Sequence, residues 1–234
     1  MRYTRQELKQ DKFKETADAA VHWSVEHRQT TIVVGAVLVA IVAAVAIGFW
    51  YYNYSSQQAS AALGAAMQVN GAPILAKGTA GPQVVSFPTI QERATAAKNA
   101  FYEVSSKYGS TRAGKFAKYM AGLNEVELGN TKVAEDDFKA VASSSDANAS
   151  SLAKFALASV YRDTNRDSDA IAIYKELIDH PTDSVPKATA QLELAELYSA
   201  KQPEEAKKIY AQMQKDNPKS AVGKIAGQHL SSMK

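Results

Sequence analysis

The chain repeats an eight-residue pattern three times, as AEDDFKAV at residues 134–141, AIAIYKEL at 170–177 and AKKIYAQM at 206–213. Each copy begins with alanine, carries an aromatic residue four positions later, and starts 36 residues after the copy before it. Residues four positions apart lie on one face of a helix, so each copy places a small residue beside a large ring. A looser copy at 97–104 begins 37 residues upstream. This internal period predicts a stack of similar helical units.

A second predicted helix precedes each of the three copies and carries a small residue in the pair Ala121-Gly122, Leu157-Ala158 or Leu194-Ala195. Small residues let the two helices of a unit approach closely, while the aromatic ring fills the space between neighbouring units. Such a helix pair cannot bury its apolar face alone, so consecutive pairs are expected to stack into a solenoid.

This pattern resembles the tetratricopeptide repeat, with three copies over residues 113–217 and a degenerate half-copy before them. The tryptophan that this family carries in the first helix is absent. Glu125 also stands where the second and third copies have Tyr161 and Tyr198. These differences indicate divergent copies of the repeat.

A long uncharged segment precedes the repeats, because no charged residue occurs in the 48 positions between Arg28 and Lys77. Within it, Ile32–Trp50 is an apolar run that would span about 28 Å as a helix, close to the thickness of a bilayer core. Aromatic residues collect at the end of this run, as at a membrane interface: Phe49, Trp50, Tyr51, Tyr52 and Tyr54. The sequence therefore predicts a transmembrane helix over residues 29–54, in contact with lipid.

The distribution of basic residues predicts the orientation of this helix. The first 28 residues contain six Lys and Arg, whereas residues 51–76 contain none. The positive-inside rule then places the N-terminus in the cytoplasm and the repeats outside it. The alternative is a cleaved signal peptide, with Ala59-Ser60-Ala61 as the cleavage site. The length of the apolar run and a leader with five acidic residues favour a retained anchor.

The predicted fold class is all-α, an N-terminal transmembrane helix followed by a tetratricopeptide-like helical-hairpin solenoid. The leader has a capping-box pattern at Thr4–Glu7 and helical apolar spacing, which suits contact with lipid headgroups, a cytosolic partner or a simple topogenic flank. A second capping box is predicted at Thr89–Glu92. The predicted divisions are a cytosolic amphipathic leader (1–28), the transmembrane helix (29–54), a helical spacer with a Gly/Pro-rich linker (55–92), the repeats (93–217) and a C-terminal capping helix (218–234).

Residue chemistry argues against an enzyme. The chain has no cysteine and four histidines, and it has no phosphate-binding loop, nucleophile elbow or zinc-binding helix motif. We therefore expect no catalytic residue, no cofactor and no metal site. Glu135, Asp136 and Asp137 are expected in the first turn of a helix, where the helix dipole favours carboxylates. A net charge of +3 is too small to predict nucleic acid as the main partner.

The resemblance to tetratricopeptide repeats implies a protein-binding groove lined by the first helix of each pair. Carried onto this sequence, the family's groove positions are Phe116, Tyr119, Leu123, Phe155, Ser159, Arg162, Leu192 and Glu196. The apolar and aromatic members would suit an amphipathic or unfolded segment. For any single residue the alternative is packing between repeats or against the linker.

The order of leader, anchor, spacer and repeats resembles the bacterial YfgM-like family of ancillary Sec translocon subunits. That resemblance implies a single-pass protein of the inner membrane with a periplasmic repeat domain. Its implied partners are translocon subunits, periplasmic chaperones and nascent exported chains, and its implied role is that of an adaptor or chaperone. The alternative is a scaffold for cell-envelope assembly, in division or outer-membrane biogenesis. An enzyme or an enzyme-regulatory subunit is a third, less favoured hypothesis.

Overall fold

A computed structural model of the chain describes Trp23, Val25 and residues 27–76, 85–216 and 218–233. The chain divides into two compact units, Met1–Tyr54 and Ser55–Lys234. The capping box and apolar spacing predicted for the leader lie outside the described residues.

The first unit contains most of helix α1, which runs from Arg28 to Asn70. An 18-residue window of α1 has a mean hydropathy of 3.0, and none of that window is buried. Its large apolar side chains, among them Val39 and Ile47, are mostly exposed. By length and composition α1 is therefore a candidate membrane span or signal anchor.

The second unit contains the end of α1 and eight further helices within the described residues. They are α2 (Ile90–Tyr108), α3 (Arg112–Glu127), α4 (Thr131–Ala142), α5 (Ala147–Asp163), α6 (Asp167–Asp179), α7 (Lys187–Lys201), α8 (Pro203–Asp216) and α9 (Ala221–Ser232). From α2 onward each helix packs against the next, and α3 also packs against α5. No β-strand occurs in the described ranges, so the all-α class with stacked helix pairs is confirmed.

Side-chain caps explain several of the helix starts. Thr89 accepts a hydrogen bond from the backbone N–H of Glu92 at 3.1 Å, which confirms the predicted start of α2. Thr111 caps α3 in the same way through Gly114 N–H at 3.0 Å. Asp146 caps α5 by accepting from two backbone N–H groups at 3.1 Å. Each cap satisfies N–H groups that have no partner inside their own helix.

The repeated pattern forms the core of the second unit. The alanine, the aromatic residue and the apolar residue of the three copies are all at most 2% exposed: Ala134, Phe138, Val141, Ala170, Tyr174, Leu177, Ala206, Tyr210 and Met213. Gly122 shows why a small residue is needed beside them, because a Cβ there would lie 2.7 Å from Cε1 of Phe138. At the last helix, His229 stacks on Tyr210 with 4.7 Å between ring centroids.

The part of α1 that follows the apolar run packs into a second apolar cluster of this unit. Ala59 and Ala66 of α1 are buried, and Ala66 shares an apolar cluster with Ala97 and Phe101 of α2. The end of α1 is held by a 3.0 Å hydrogen bond from Asn124 Nδ2 to Asn70 Oδ1. Thus α1 and α2 together occupy the place of the degenerate half-copy. The domain boundaries predicted within this unit stay predictions.

The Gly/Pro-rich linker is closed at its base. The N–H of Leu75 donates to the carbonyl of Phe87 at 2.9 Å, and the N–H of Phe87 donates to the carbonyl of Pro73 at 3.1 Å. These bonds form an isolated bridge between Ile74 and Phe87. The two ends of the linker therefore meet, although residues 77–84 lie outside the described part of the chain.

The carboxylates of α4 do not lie where they were expected. Because α4 begins at Thr131, Glu135 and Asp137 fall in its second turn, and both are buried. The prediction of a first-turn position stabilised by the helix dipole is therefore wrong. Cations stabilise them instead: Glu135 pairs with Lys139 at 2.5 Å and with Arg166 at 3.0 Å, and Asp137 pairs with Lys118 at 3.3 Å.

Candidate protein-binding surface

The eight predicted groove residues lie on α3, α5 and α7, and most of them are partly buried. The rings of Phe116 and Tyr119 are 5.7 Å apart, and Tyr119 also contacts the buried Phe138, with 5.9 Å between centroids. Burial raises the pKa of the Tyr119 hydroxyl. Phe155 packs edge-on against Tyr174 at 5.9 Å. Each of these aromatic side chains therefore packs partly against the core and is partly exposed to solvent.

The remaining groove residues differ in how available they are. Leu123 and Leu192 pack against the main apolar core and are partly buried. Ser159 donates to the carbonyl of Phe155 at 3.3 Å, and Glu196 is exposed. The groove assignment of these residues stays a prediction.

Arg162 already has a carboxylate partner. Its Nη1 lies 2.5 Å from Oε2 of Glu193, a residue of α7. Burial opposes the charge on Arg162, but the hydrogen bond to Glu193 and the nearby charges of Glu193 and Asp163 together outweigh burial and raise the pKa of the guanidinium. A ligand carboxylate would have to compete with this pair.

A cavity of about 480 Å³ lies where α1, α3 and α5 meet. Of the eight predicted groove residues, Phe116 lines it. The full lining is Ser56, Ser60, Leu63, Arg112, Ala113, Phe116, Asp146, Asn148, Ala149, Leu152 and Ser184. Its volume falls in the range of about 300–1,000 Å³ typical of ligand pockets.

The chemistry of this α1–α3–α5 cavity is mixed. Leu63, Phe116 and Leu152 give it an apolar part, and serine hydroxyls and an asparagine amide give it hydrogen-bonding groups. Its two charged lining residues neutralise each other, because Nε of Arg112 lies 3.0 Å from Oδ2 of Asp146.

The residues of α1 in this cavity were missed by sequence reasoning, which treated residues 55–70 as part of a spacer. A signal was present, since Ala59, Leu63 and Ala66 recur at the three- and four-residue spacing of a buried helix face.

Charged and polar residues also gather away from this cavity, around two buried carboxylates, in a cluster that we call the first-repeat network: Lys98 and Tyr102 of α2, Lys118 and Glu125 of α3, Asn130, and Asp137 of α4. The Tyr102 hydroxyl lies 2.5 Å from Oδ2 of Asp137 and 3.1 Å from Oε1 of Glu125. One hydroxyl proton serves two carboxylates. Burial, followed by the bond to Asp137, raises the pKa of Tyr102 well above its ordinary value.

Glu125 is ionised in this network despite being 4% exposed. Burial pushes the pKa of its carboxyl up, but hydrogen bonds from Asn130 at 2.6 Å and Lys98 at 3.3 Å, helped by Tyr102, lower it below 4.5. Lys118 pairs with Asp137 at 3.3 Å. Each buried carboxylate is thus matched by a cation, which is the arrangement of a structural ion-pair network.

No group of three or more potential metal ligands of the His, Cys, Asp and Glu types is present among the residues that the structure describes. Exposed carboxylates of α8 pair along their own helix, Glu204 with Lys207 at 3.0 Å and Glu205 with Lys208 at 2.7 Å.

Comparison with known protein families agrees with the geometry of the stack. A model described as a tetratricopeptide repeat-like domain matches residues 22–175, and one described as a tetratricopeptide repeat matches residues 189–220. The chain belongs to the tetratricopeptide repeat-like domain family. Repeats of this family typically bind other proteins without catalysis. No match was found among curated proteins or solved structures.

Proposed function

We propose that this protein is a membrane-anchored, non-enzymatic adaptor or chaperone that works beside the Sec translocon and receives newly exported proteins. The observation that carries the proposal is that α1 contains the apolar run and also supplies Ala59 and Ala66 to the core of the repeat unit. The anchor and the binding module are therefore built on one helix.

Two further observations support this proposal. The matched family region begins at residue 22 and so includes α1 together with the first repeats. The α1–α3–α5 cavity is open and lined by two repeat helices, α3 and α5, and by α1. Tethering raises the effective concentration of such a module beside an exit site, so weak contacts suffice for repeated engagement of an emerging chain.

The proposed topology places the leader in the cytoplasm and the repeat unit in the periplasm. Protease added to spheroplasts is expected to digest the chain beyond about residue 55 and to spare the leader. An epitope tag at each terminus reports the two outcomes. Protection of the C-terminal tag in intact spheroplasts would contradict the topology.

Partner identity is tested by photo-crosslinking in living cells, with a photoreactive residue at Tyr119 or Phe155. Recovery of translocon subunits together with many different exported chains is the expected result. Recovery of a single stoichiometric envelope protein would instead favour a scaffold for division or outer-membrane biogenesis. Charged substitutions at Tyr119 and Phe155 are expected to weaken these crosslinks while the helical content stays unchanged.

A further inference from the structure

We infer that the α1–α3–α5 cavity receives an uncharged, extended polypeptide segment through one bulky apolar side chain. This inference rests on the proposed function and names the chemistry of the ligand at one site. The occupant is argued from the distribution of apolar, hydrogen-bonding and charged groups around the cavity.

The apolar part of the cavity selects a hydrophobic side chain. Leu63 of α1, Phe116 of α3 and Leu152 of α5 all line it, together with two alanines. Each of the three is partly exposed, so the helix packing leaves apolar area uncovered. Removing that area from water on binding is favourable by about 25 cal/mol per Å².

The polar part of the cavity suits peptide groups. Ser56 and Ser184 line it, and the structure gives their hydroxyls no hydrogen-bond partner within the ranges it describes. Ser60 donates to the carbonyl of Ser56 at 2.9 Å, which leaves its oxygen able to accept. Hydroxyl groups both donate and accept, so they match the N–H and C=O groups of an extended backbone.

The charges of the cavity argue against an anion as occupant. Arg112 is 83% exposed on its side chain, but Asp146 lies 3.0 Å away and cancels its charge. The pKa of Asp146 is held below 3.8, so this carboxylate stays charged. The hydrogen bond from the backbone N–H of Ala149 lowers the pKa most, burial raises it, and the contact with Arg112 and the N–H of Asn148 lower it further. An acidic peptide or an anionic lipid headgroup would have to break this pair or approach Asp146.

A lipid headgroup is nevertheless the rival to test, because of where the cavity lies along α1. Ser56 and Ser60 follow Tyr54 by two and six residues. The experiment therefore has to separate a neutral peptide from an anionic lipid.

The test uses the full chain in nanodiscs of phosphatidylcholine and a labelled, uncharged nine-residue peptide of Gly, Ser and Asn with one central Phe. Ser60→Trp places an indole in the cavity from an exposed helix position, and Gln57→Trp places one on α1 away from it. In fluorescence anisotropy we expect Ser60→Trp to weaken peptide binding at least about tenfold and Gln57→Trp to change it less than about twofold. Equal thermal midpoints for the two variants exclude unfolding as the cause.

A charge variant and a lipid-binding measurement distinguish a neutral peptide from an anionic lipid as the occupant. Arg112→Gln is expected to change affinity for the neutral peptide less than about threefold. If wild-type protein does not bind the peptide, or if it binds vesicles containing phosphatidylglycerol in a manner that Arg112→Gln abolishes, the inference is overturned. Photo-crosslinking from Ser60 and from Glu196, with Lys175 of α6 as background, distinguishes failure of the cavity inference from failure of the proposed function. Exported chains captured from Glu196 but not Ser60 would overturn the cavity alone, and capture from neither would overturn the proposed function.

Discussion

The contact between α2 and α3 and the contact between α6 and α7 involve corresponding positions of the repeat, but the residues at these positions differ in chemistry. In the first, Lys98 donates to the buried Glu125 at 3.3 Å. In the second contact the corresponding positions are Ile171 of α6 and Tyr198 of α7. Ile171 is partly buried against the apolar core, and Tyr198 is buried within it. A charged pair in the earlier contact thus corresponds to two uncharged side chains of the apolar core in the later one.

The middle repeat is intermediate between the two. Glu135 occupies the position of Lys98, and Tyr161 occupies the position of Glu125. Arg166 joins them, because its guanidinium lies 3.9 Å from the centroid of the Tyr161 ring and its Nη1 lies 3.0 Å from Oε2 of Glu135. The middle repeat therefore still contains charged groups, but the Arg166 guanidinium makes a cation–π contact with the Tyr161 ring.

The alanines and rings shared by all copies set the spacing of the helices, while the pair of positions beside them can be either ionic or uncharged. The freedom is conditional, because a buried charge without its partner is strongly destabilising. The two positions therefore have to change together.

Glu125→Ala is expected to lower the free energy of unfolding by about 3–5 kcal/mol, because it leaves Lys98 and Tyr102 without their carboxylate in a buried site. Urea unfolding of the full chain in detergent micelles, followed by circular dichroism, measures the loss. Glu127→Ala, at an exposed pair with Arg93, is the control and should cost less than about 1 kcal/mol.

The double variant Lys98→Ile, Glu125→Tyr copies the apolar pair of the later repeat into the first one. It is expected to recover most of the stability lost in Glu125→Ala, since no buried charge of that pair remains. A double-mutant cycle with the single variants measures the coupling. Additive losses would show that the two positions are independent and would contradict the comparison.

Tyr102→Phe is expected to cost about 1–3 kcal/mol, because Asp137 and Glu125 each lose a hydrogen bond in a buried site. The same urea titration gives the value. An unchanged midpoint and slope would mean that the hydroxyl is not part of a stabilising network.

Acid is expected to destabilise the repeat unit. The pKa values of Glu125 and Glu135 lie below 4.5 in the folded chain, so the unfolded chain binds protons first as the pH falls. Their stabilisation is present above pH 4.5 and is lost as the pH falls through the folded-state values. The thermal midpoint should fall over that window and should fall less in Glu125→Gln. A midpoint that rises on acidification would reverse the assignment.

Tyr174→Phe is expected to change the free energy of unfolding by less than about 0.5 kcal/mol, or to raise it slightly. Burial raises the pKa of this hydroxyl, against a smaller opposing effect of the Ser159 side chain. Within the described residues no group meets hydrogen-bond geometry with it. Tyr210→Phe is the matched variant in the next repeat, with the same unpartnered hydroxyl. A loss as large as that of Tyr102→Phe would mean that a partner such as water satisfies these groups.

Much of the fold was predictable from residue spacing. The buried triads around Phe138, Tyr174 and Tyr210 follow from the 36-residue period, and the cap at Thr89 follows from its capping box. The candidate site was less predictable. Phe116 was placed on the binding surface by the resemblance to the repeat family, but the wall formed by Ser56, Ser60 and Leu63 was not.

Residue order is enough to specify the helices, their period and the apolar run of α1, because these depend on where small, large, apolar and charged residues fall along the chain. Which polar groups meet depends on how the helices pack in three dimensions. Tyr102 contacts residues 23 and 35 positions further on, and Glu125 shows in the sequence as a departure from tyrosine. Whether such a carboxylate faces solvent or a buried hydroxyl depends on how closely three helices pack. Small residues such as Gly122 permit that approach, but the contact itself arises when the helices are assembled.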